Sequence, residues 1–191
     1  MELQVLYRVD IDPKTKATTL LVQSGTEPDY STLPRGYLIP GEKSAACTPM
    51  DKLFATVTTG MQYRFKLRAN PTRKLGKTKK DDHLAGKRVA ILSNEGKLSW
   101  LAKKGTDWGF KVLAVSAKPD YIDDPPVPNV LARPAGNARG HKKDAILFLT
   151  GVMFEGRLEV TNPGDFCNGV KNGIGTGKAH GFGLLSFFPA P

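Results

Sequence analysis

Cysteine is nearly absent. The chain has 191 residues and only two, Cys47 and Cys167. They are too few for a disulfide framework, and no spacing around them reads as a metal site. They fit incidental thiols in a reducing compartment. Histidine is almost as scarce, with His83, His141 and His180 scattered singly, and no His/Asp/Glu cluster suggests a metal. Long apolar runs are missing as well. The most apolar, residues 145–154, falls far short of the ~20 residues needed to span a bilayer. The N-terminus is acidic and strand-like, without a secretory signal. These absences exclude a disulfide scaffold, a zinc module and a helical membrane protein, and they lead to the expectation of a cytoplasmic protein with no metal, cofactor or membrane partner. Negative charge is also short: 18 Asp and Glu face 28 Lys and Arg, for a net charge of +10. Such an excess points to a polyanionic partner, nucleic acid before an acidic membrane surface.

What is present is an unusual glycine stretch near the C-terminus. Gly173, Gly175, Gly177, Gly181 and Gly183 surround Lys178 and His180. Residues without Cβ let backbone amides turn outward against a flat or anionic partner, with phosphate the first candidate. Two familiar phosphate loops are excluded by spacing. The Walker loop would need glycine where Asn172 stands and Ser or Thr in place of Ala179. The dinucleotide fingerprint needs a strand before the glycines and a helix after them. Here the order is reversed, because Asn162 and Pro163 read as an N-cap and first helical residue, and Phe166, Val170 and Ile174 recur every fourth residue. The spacing predicts a helix ending at Gly173, then a strand over residues 184–188. A helix C-terminus repels anions, so attraction here falls to Lys178 and free amides. A Gly-rich turn with a chance lysine is the plain alternative.

Earlier in the chain, residues 3–11 alternate as a strand with Leu3, Val5, Tyr7, Val9 and Ile11 on one buried face. A turn over 12–16 and a return strand over 18–23 complete a hairpin. A single helical turn is expected over 28–33, and loop over 34–50. Residues 61–70 alternate most cleanly: Tyr63, Phe65 and Leu67 face one way, Arg64, Lys66 and Arg68 the other. That row of cations, ~7 Å apart, suits a nucleic-acid backbone. The alternative is a solvated outer sheet face. Tyr63 and Phe65 fall on the apolar side, which argues against single-strand binding by exposed sheet aromatics. A basic linker over 73–80 marks a domain boundary, giving units 1–83 and 84–191. The second reads as strand (87–92), helix capped by Ser93 or Asn94, strand (111–116), a long connection over 118–143, strand (145–160, bent at Gly151 or Gly156), helix and strand. This β-α-β-β-α-β order is the ferredoxin-like unit. The first half, strand-strand-short helix-strand, lacks one strand and one helix of that pattern.

The run Gly-Ile-Gly-Thr-Gly-Lys-Ala-His-Gly-Phe-Gly-Leu-Leu-Ser over 173–186 resembles the C-terminal glycine-rich signature of CasE-type CRISPR RNA endoribonucleases. Supporting blocks are Phe-Glu-Gly-Arg-Leu-Glu-Val over 154–160, Tyr-Arg-Phe-Lys-Leu-Arg-Ala-Asn-Pro-Thr over 63–72 and Gly-Lys-Arg over 86–88, with weaker matches at 22–24 and 27–31. Their order and spacing run through nearly the whole chain. The resemblance implies an α+β fold of two tandem ferredoxin-like (RRM-like) domains, the first lacking its leading strand and helix. It also implies binding and metal-independent cleavage of a CRISPR repeat RNA hairpin by 2′-hydroxyl attack, with retention of the product in the Cascade complex. Family members carry the catalytic His and Tyr on the first helix of the first domain. That helix has no counterpart here, so no catalytic residue transfers and the segment is expected upstream of Met1; residues 1–191 alone are then expected not to cut. His180 is the best placed of the histidines, a weak substitute.

RNA-binding residues implied by the matched blocks are Arg157, Lys178 and the loop glycines Gly173, Gly175 and Gly177. Arg64, Lys66 and Arg68 join them by their strand pattern. Arg133, Arg139, Lys142 and Lys143 join by charge and position, as a counterpart of a basic hairpin that contacts the repeat stem. Arg157 is alternatively a plain partner of Glu155 or Glu159, two residues away on the same strand face. Arg157 and Lys178 are expected on one basic surface near the domain cleft, and the first sheet is expected to be three-stranded with an uncovered apolar patch. A non-catalytic hairpin binder remains the second function class.

Overall fold

A computed structural model of the chain describes residues 5–38, 45–76, 85–116, 125–142 and 145–190. Among these residues eleven strands and three α-helices follow in order: β1 (Leu6–Ile11), β2 (Thr18–Gln23), α1 (Asp51–Thr56), β3 (Gln62–Ala69), β4 (Thr72–Lys74), β5 (Arg88–Ala90), α2 (Asn94–Asp107), β6 (Phe110–Val112), β7 (Ala114–Val115), β8 (Val127–Pro128), β9 (Val130–Lys142), β10 (Ala145–Val160), α3 (Pro163–Asn172) and β11 (Leu185–Pro189).

The core is one antiparallel sheet ordered β11-β3-β10-β6, with β9 also pairing along β10. Its elements β3-α2-β6-β10-α3-β11 form the β-α-β-β-α-β unit. Its first strand is β3, so the pairing crosses the boundary expected at residue 83. The physical reason lies in β3, whose Tyr63, Phe65, Leu67 and Ala69 are all buried and need strands on both edges and helices above. The segment expected to open the unit shrinks to the three residues of β5, which pairs with β4.

Leu101 of α2 and Phe166 and Val170 of α3 close over that face in one cluster with Tyr63, Leu67, Phe154 and Leu158. The caps follow the sequence. The Ser93 hydroxyl accepts from the Gly96 amide, and the Asn162 side chain accepts from the Asp165 amide with Pro163 following. α3 stops where Gly173 takes φ +75°.

Two expectations change. Residues 28–33 make a turn rather than a helix, and a helix, α1, appears at 51–56, where Leu53 and Phe54 pack on the core. The end of the long connection is the 13-residue strand β9, held because β10 offers it an edge. β10 does bend, with its register shifting between Thr150 and Val152; at Gly151 a Cβ would lie 2.0 Å from the Gly136 carbonyl oxygen.

The first sheet is a two-stranded hairpin, since the third strand expected there is β3 of the central sheet. Its sidedness is inverted too. Leu6 and Arg8 are buried, whereas Val5, Val9, Ile11, Leu20 and Val22 stand exposed on the other side. Among the described residues nothing covers this apolar patch. Leu3 lies outside the described residues.

Candidate nucleic-acid interface

The sheet face opposite α2 and α3 carries the polar side of β3, but its cations are not an open row. Lys66 sits 3.1 Å from Asp10 and 3.5 Å from Glu155. Arg68 donates to the Ala135 carbonyl at 3.1 Å and lies 4.3 Å over the Phe182 ring; burial lowers its pKa. Only Arg64 of the three is exposed. Alternation alone gives the face of each residue correctly, while the hairpin and the chain around Ala135 and Phe182, distant in sequence, decide which cations remain available.

Arg8 is the anchor that brings the hairpin onto this face. It is 2% exposed, ion-paired with Asp10 at 2.9 Å, and donates to the carbonyls of Lys66 and Leu184. Burial pushes the Asp10 carboxyl up, but bonds from Arg8 and Lys66 outweigh this and hold it below the ordinary value.

Arg157 escapes the pairing with its neighbours on β10. Glu155 is taken by Lys66 and Arg133, and Glu159 by Lys111 at 2.8 Å. Arg157 instead stands directly across from Arg64, and Arg64 in turn faces Phe188 on β11, 51% exposed. Like charges directly opposite are destabilising without an anion between them. Phe188 is an aromatic on the open face that the sequence pattern of β3 could not reveal, because it lies on another strand. Tyr63 and Phe65 are buried as expected.

Of the basic hairpin, Arg133 is bound to Glu155, and Arg139 is exposed opposite Phe148, itself 61% exposed. Lys142 ends β9, and Lys143 and His83 lie outside the described residues.

The glycine loop adopts positive φ at Gly173, Gly175, Gly177, Gly181 and Gly183. Its amides do not all turn outward. Those of Gly173, Ile174, His180, Gly181 and Gly183 bond the carbonyls of Gly169, Gly183, Gly177, Lys178 and Arg68. Lys178 starts a single 3-10 turn and points into a cleft shared with α2, where burial lowers its pKa. The expectation of one surface with Arg157 is thereby overturned. The Lys178 cleft is on the helix side, Arg157 is on the opposite face, and the stretch from Arg64 to Asn70 at the cleft spans about 20 Å of strand. The His180 imidazole sits against Gly140 of β9, and the Tyr7 hydroxyl donates to the Ala179 carbonyl at 3.3 Å.

The chain and its fold are similar to known proteins. The family described as CRISPR associated protein matches residues 1–189. The CRISPR-associated endoribonuclease Cse3 of Thermus thermophilus is 32% identical over 188 residues, which cover 97% of this chain and 80% of that protein. A structure of Cse3 bound to a 19-nucleotide RNA superposes with a TM-score of 0.75 at 32% identity, over 98% of this chain and 81% of that one. Thermus thermophilus Cse3 bound to an RNA representing a pre-cleavage complex gives 0.70 at 31% identity, over 98% and 79%. With the matched blocks now seated in a shared α+β fold, the chain belongs to the CasE-type family of CRISPR-associated endoribonucleases.

Proposed function

We propose that this protein binds the hairpin of a CRISPR repeat transcript and serves its processing in the cytoplasm, remaining with the product as a subunit of the Cascade surveillance complex. The observation that carries this is the Arg64–Arg157 apposition. Two arginines face each other on an open sheet face, and the carboxylates beside Arg157 are committed to other cations. A phosphate between them relieves the repulsion and accepts charge-assisted bonds from both. Phe188 beside Arg64 adds an aromatic surface, and Arg139 extends the positive charge along the β9–β10 hairpin. Lys178, in its separate cleft, is a second point of contact.

The reaction served is metal-independent strand scission. The ribose 2′-oxygen attacks the adjacent phosphorus while a base takes its proton. The bond from phosphorus to the 5′-oxygen then breaks, and an acid protonates the leaving oxygen, giving a cyclic phosphate and a free 5′-hydroxyl. His180 and Tyr7 are poorly placed for this, with the imidazole against β9 and the Tyr7 hydroxyl holding Ala179. We therefore assign RNA binding to these residues and give neither His180 nor Tyr7 the proton transfer. A hairpin binder with no catalytic role is the second reading, favoured by the same placement.

The test is fluorescence anisotropy with the repeat hairpin from the same genome. Arg157→Ala is expected to weaken binding by about 1.5–3 kcal/mol, and affinity is expected to fall with salt by roughly 0.7–0.9 log units per log salt for each phosphate contacted. Identical titrations for wild type and Arg157→Ala reject the surface. Cleavage assayed with and without EDTA separates the two classes. Site-specific cutting by residues 1–191 that is lost in His180→Ala moves catalysis into the glycine loop.

A further inference from the structure

On the helix side of the sheet, away from Arg64 and Arg157, lies a cleft of about 160 Å³ between α2, the β4–β5 pair and the glycine loop. Three elements bring cations to it: Arg88 from β5, Lys104 from the last turn of α2, and Lys178 from the 3-10 turn. Among the described residues no carboxylate lines it. Lys104 is committed to Asp107 at 2.6 Å, outside the lining, whereas among the described residues Arg88 touches only the Thr72 hydroxyl, at 3.4 Å, and Lys178 has no ion pair. Two cations lining a recess that no described carboxylate enters make an anion site, and Thr72 and Thr176 add hydroxyl donors.

The floor is aromatic. Trp100 is anchored by stacking on Phe154, with ring centroids 6.0 Å apart and planes 14° from parallel, and turns its remaining surface to the cleft. Gly175, at φ +89°, lets the loop approach, since a Cβ there would stand 3.1 Å from the indole. The volume is below the ~300 Å³ of an ordinary small-molecule pocket, yet well above the ~30 Å³ of a water. It holds a phosphate and part of a base, not a dinucleotide. Cations beside an aromatic platform are the pairing that grips single-stranded nucleic acid.

We propose that this cleft binds one phosphate-bearing nucleotide, that of the single-stranded RNA flanking the repeat stem, with its phosphate on Arg88 and Lys178 and its base on Trp100. The assignment to RNA rests on the hairpin-binding reading above; the nucleotide chemistry of the cleft does not. The bound phosphate supplies Lys178 with a counter-charge that no described residue gives it, opposing the burial that disfavours its protonated form.

The chain carries its own reporter, because its only two tryptophans, Trp100 and Trp108, both line this cleft. Residues 1–191 are titrated with two labelled RNAs, a blunt repeat stem and the same stem with a single-stranded flank, following label anisotropy and tryptophan emission together. Both RNAs are expected to raise anisotropy, while only the flanked one quenches tryptophan and binds about tenfold tighter, the size of one charge-assisted contact. Arg88→Ala should remove that tenfold and leave the blunt stem unchanged. Equal affinities with unaltered emission overturn the proposal, as does an Arg88→Ala loss shared equally by both RNAs. A nucleoside monophosphate is titrated alongside. Quenching by it in an Arg88-dependent way, with no gain from the flank, assigns the cleft to a free nucleotide instead of RNA. Flat anisotropy for both RNAs rejects the hairpin reading, and the monophosphate arm then decides the cleft alone.

Discussion

The central sheet and the β1–β2 hairpin obey the same alternation and come out opposite. In β3 the apolar residues Tyr63, Phe65 and Leu67 are at most 4% exposed beneath α2 and α3. In β1 the apolar residues Val9 and Ile11 are 45% and 63% exposed, and the side turned inward carries Arg8 and Asp10 with Leu6. Alternation reports which side of a strand gains from burial. It does not report which side the rest of the chain reaches. The hairpin is attached through a buried arginine and two carbonyls, while its apolar side is left bare among the described residues. The two regions should therefore respond differently to the same kind of substitution.

The sharpest contrast is the largest effect. Phe154→Ala removes a fully buried ring from β10, against which Trp100 stacks, and should cost about 3–5 kcal/mol in denaturant unfolding. A loss below about 1 kcal/mol would mean the sheet is no better packed than the hairpin. Next comes Arg8→Ala, expected to cost about 3 kcal/mol, at the low end for a broken buried ion pair because Asp10 keeps Lys66. This loss is local. Amide exchange should speed up across β1 and β2 while β3 and β10 stay protected. Uniform loss of protection would make the hairpin an integral part of the core.

How much of this was visible beforehand follows the same division. α3 was legible because its ends are chemical: Asn162 and Pro163 start it, and Gly173 at positive φ stops it. β10 was legible because a long apolar run signals burial on its own. β9 was hidden, since Arg133, Pro134 and Gly136 read as loop. Pro134 fits a strand only because it pairs at the β10 irregularity, where a missing amide costs least. Among the candidate site residues, the facing of Arg64, Lys66 and Arg68 was legible from their spacing, and the state of Arg157, with no ion-pair partner among the described residues, was not. That state depends on Lys66, Arg133 and Lys111 capturing Glu155 and Glu159, which is a property of neighbouring strands. The Lys178 cleft was half visible: the lysine and glycines stood out, while Arg88 and Trp100 come from elements distant in sequence.

A smaller effect distinguishes the regions by pH. Burial raises the Asp10 pKa, bonds from Arg8 and Lys66 lower it more, and the net value in the folded chain is below the ordinary 3.8. A carboxyl with a depressed folded pKa contributes stability that is complete above its unfolded value and disappears as pH falls through the folded one. Protection of the hairpin should therefore weaken as pH drops below about 3.8, before β3 and β10 are affected. Asp10→Asn should remove that acid step. Hairpin protection that falls with acid equally in Asp10→Asn would place the responsible carboxyl elsewhere.

The smallest expected change in stability is on the bare side of the hairpin. Val9, Ile11 and Leu20 lie on one face, since Val9 pairs with Leu20 and Ile11 follows two residues on. All three are at least 45% exposed, so their replacement removes little buried area. Threonine keeps the β-branching of Val9 and Ile11, brings it to position 20, and adds a hydroxyl that water can satisfy. The triple substitution Val9→Thr, Ile11→Thr and Leu20→Thr should thus shift unfolding free energy by no more than about 0.5 kcal/mol per site. Its visible consequence is colloidal. An exposed apolar strand face favours association, so the concentration at which the chain aggregates should rise. RNA affinity should not move, because Arg64, Arg157 and the Lys178 cleft are on other surfaces. A loss of several kcal/mol would show that this face is packed in the isolated chain, and would erase the distinction between hairpin and sheet.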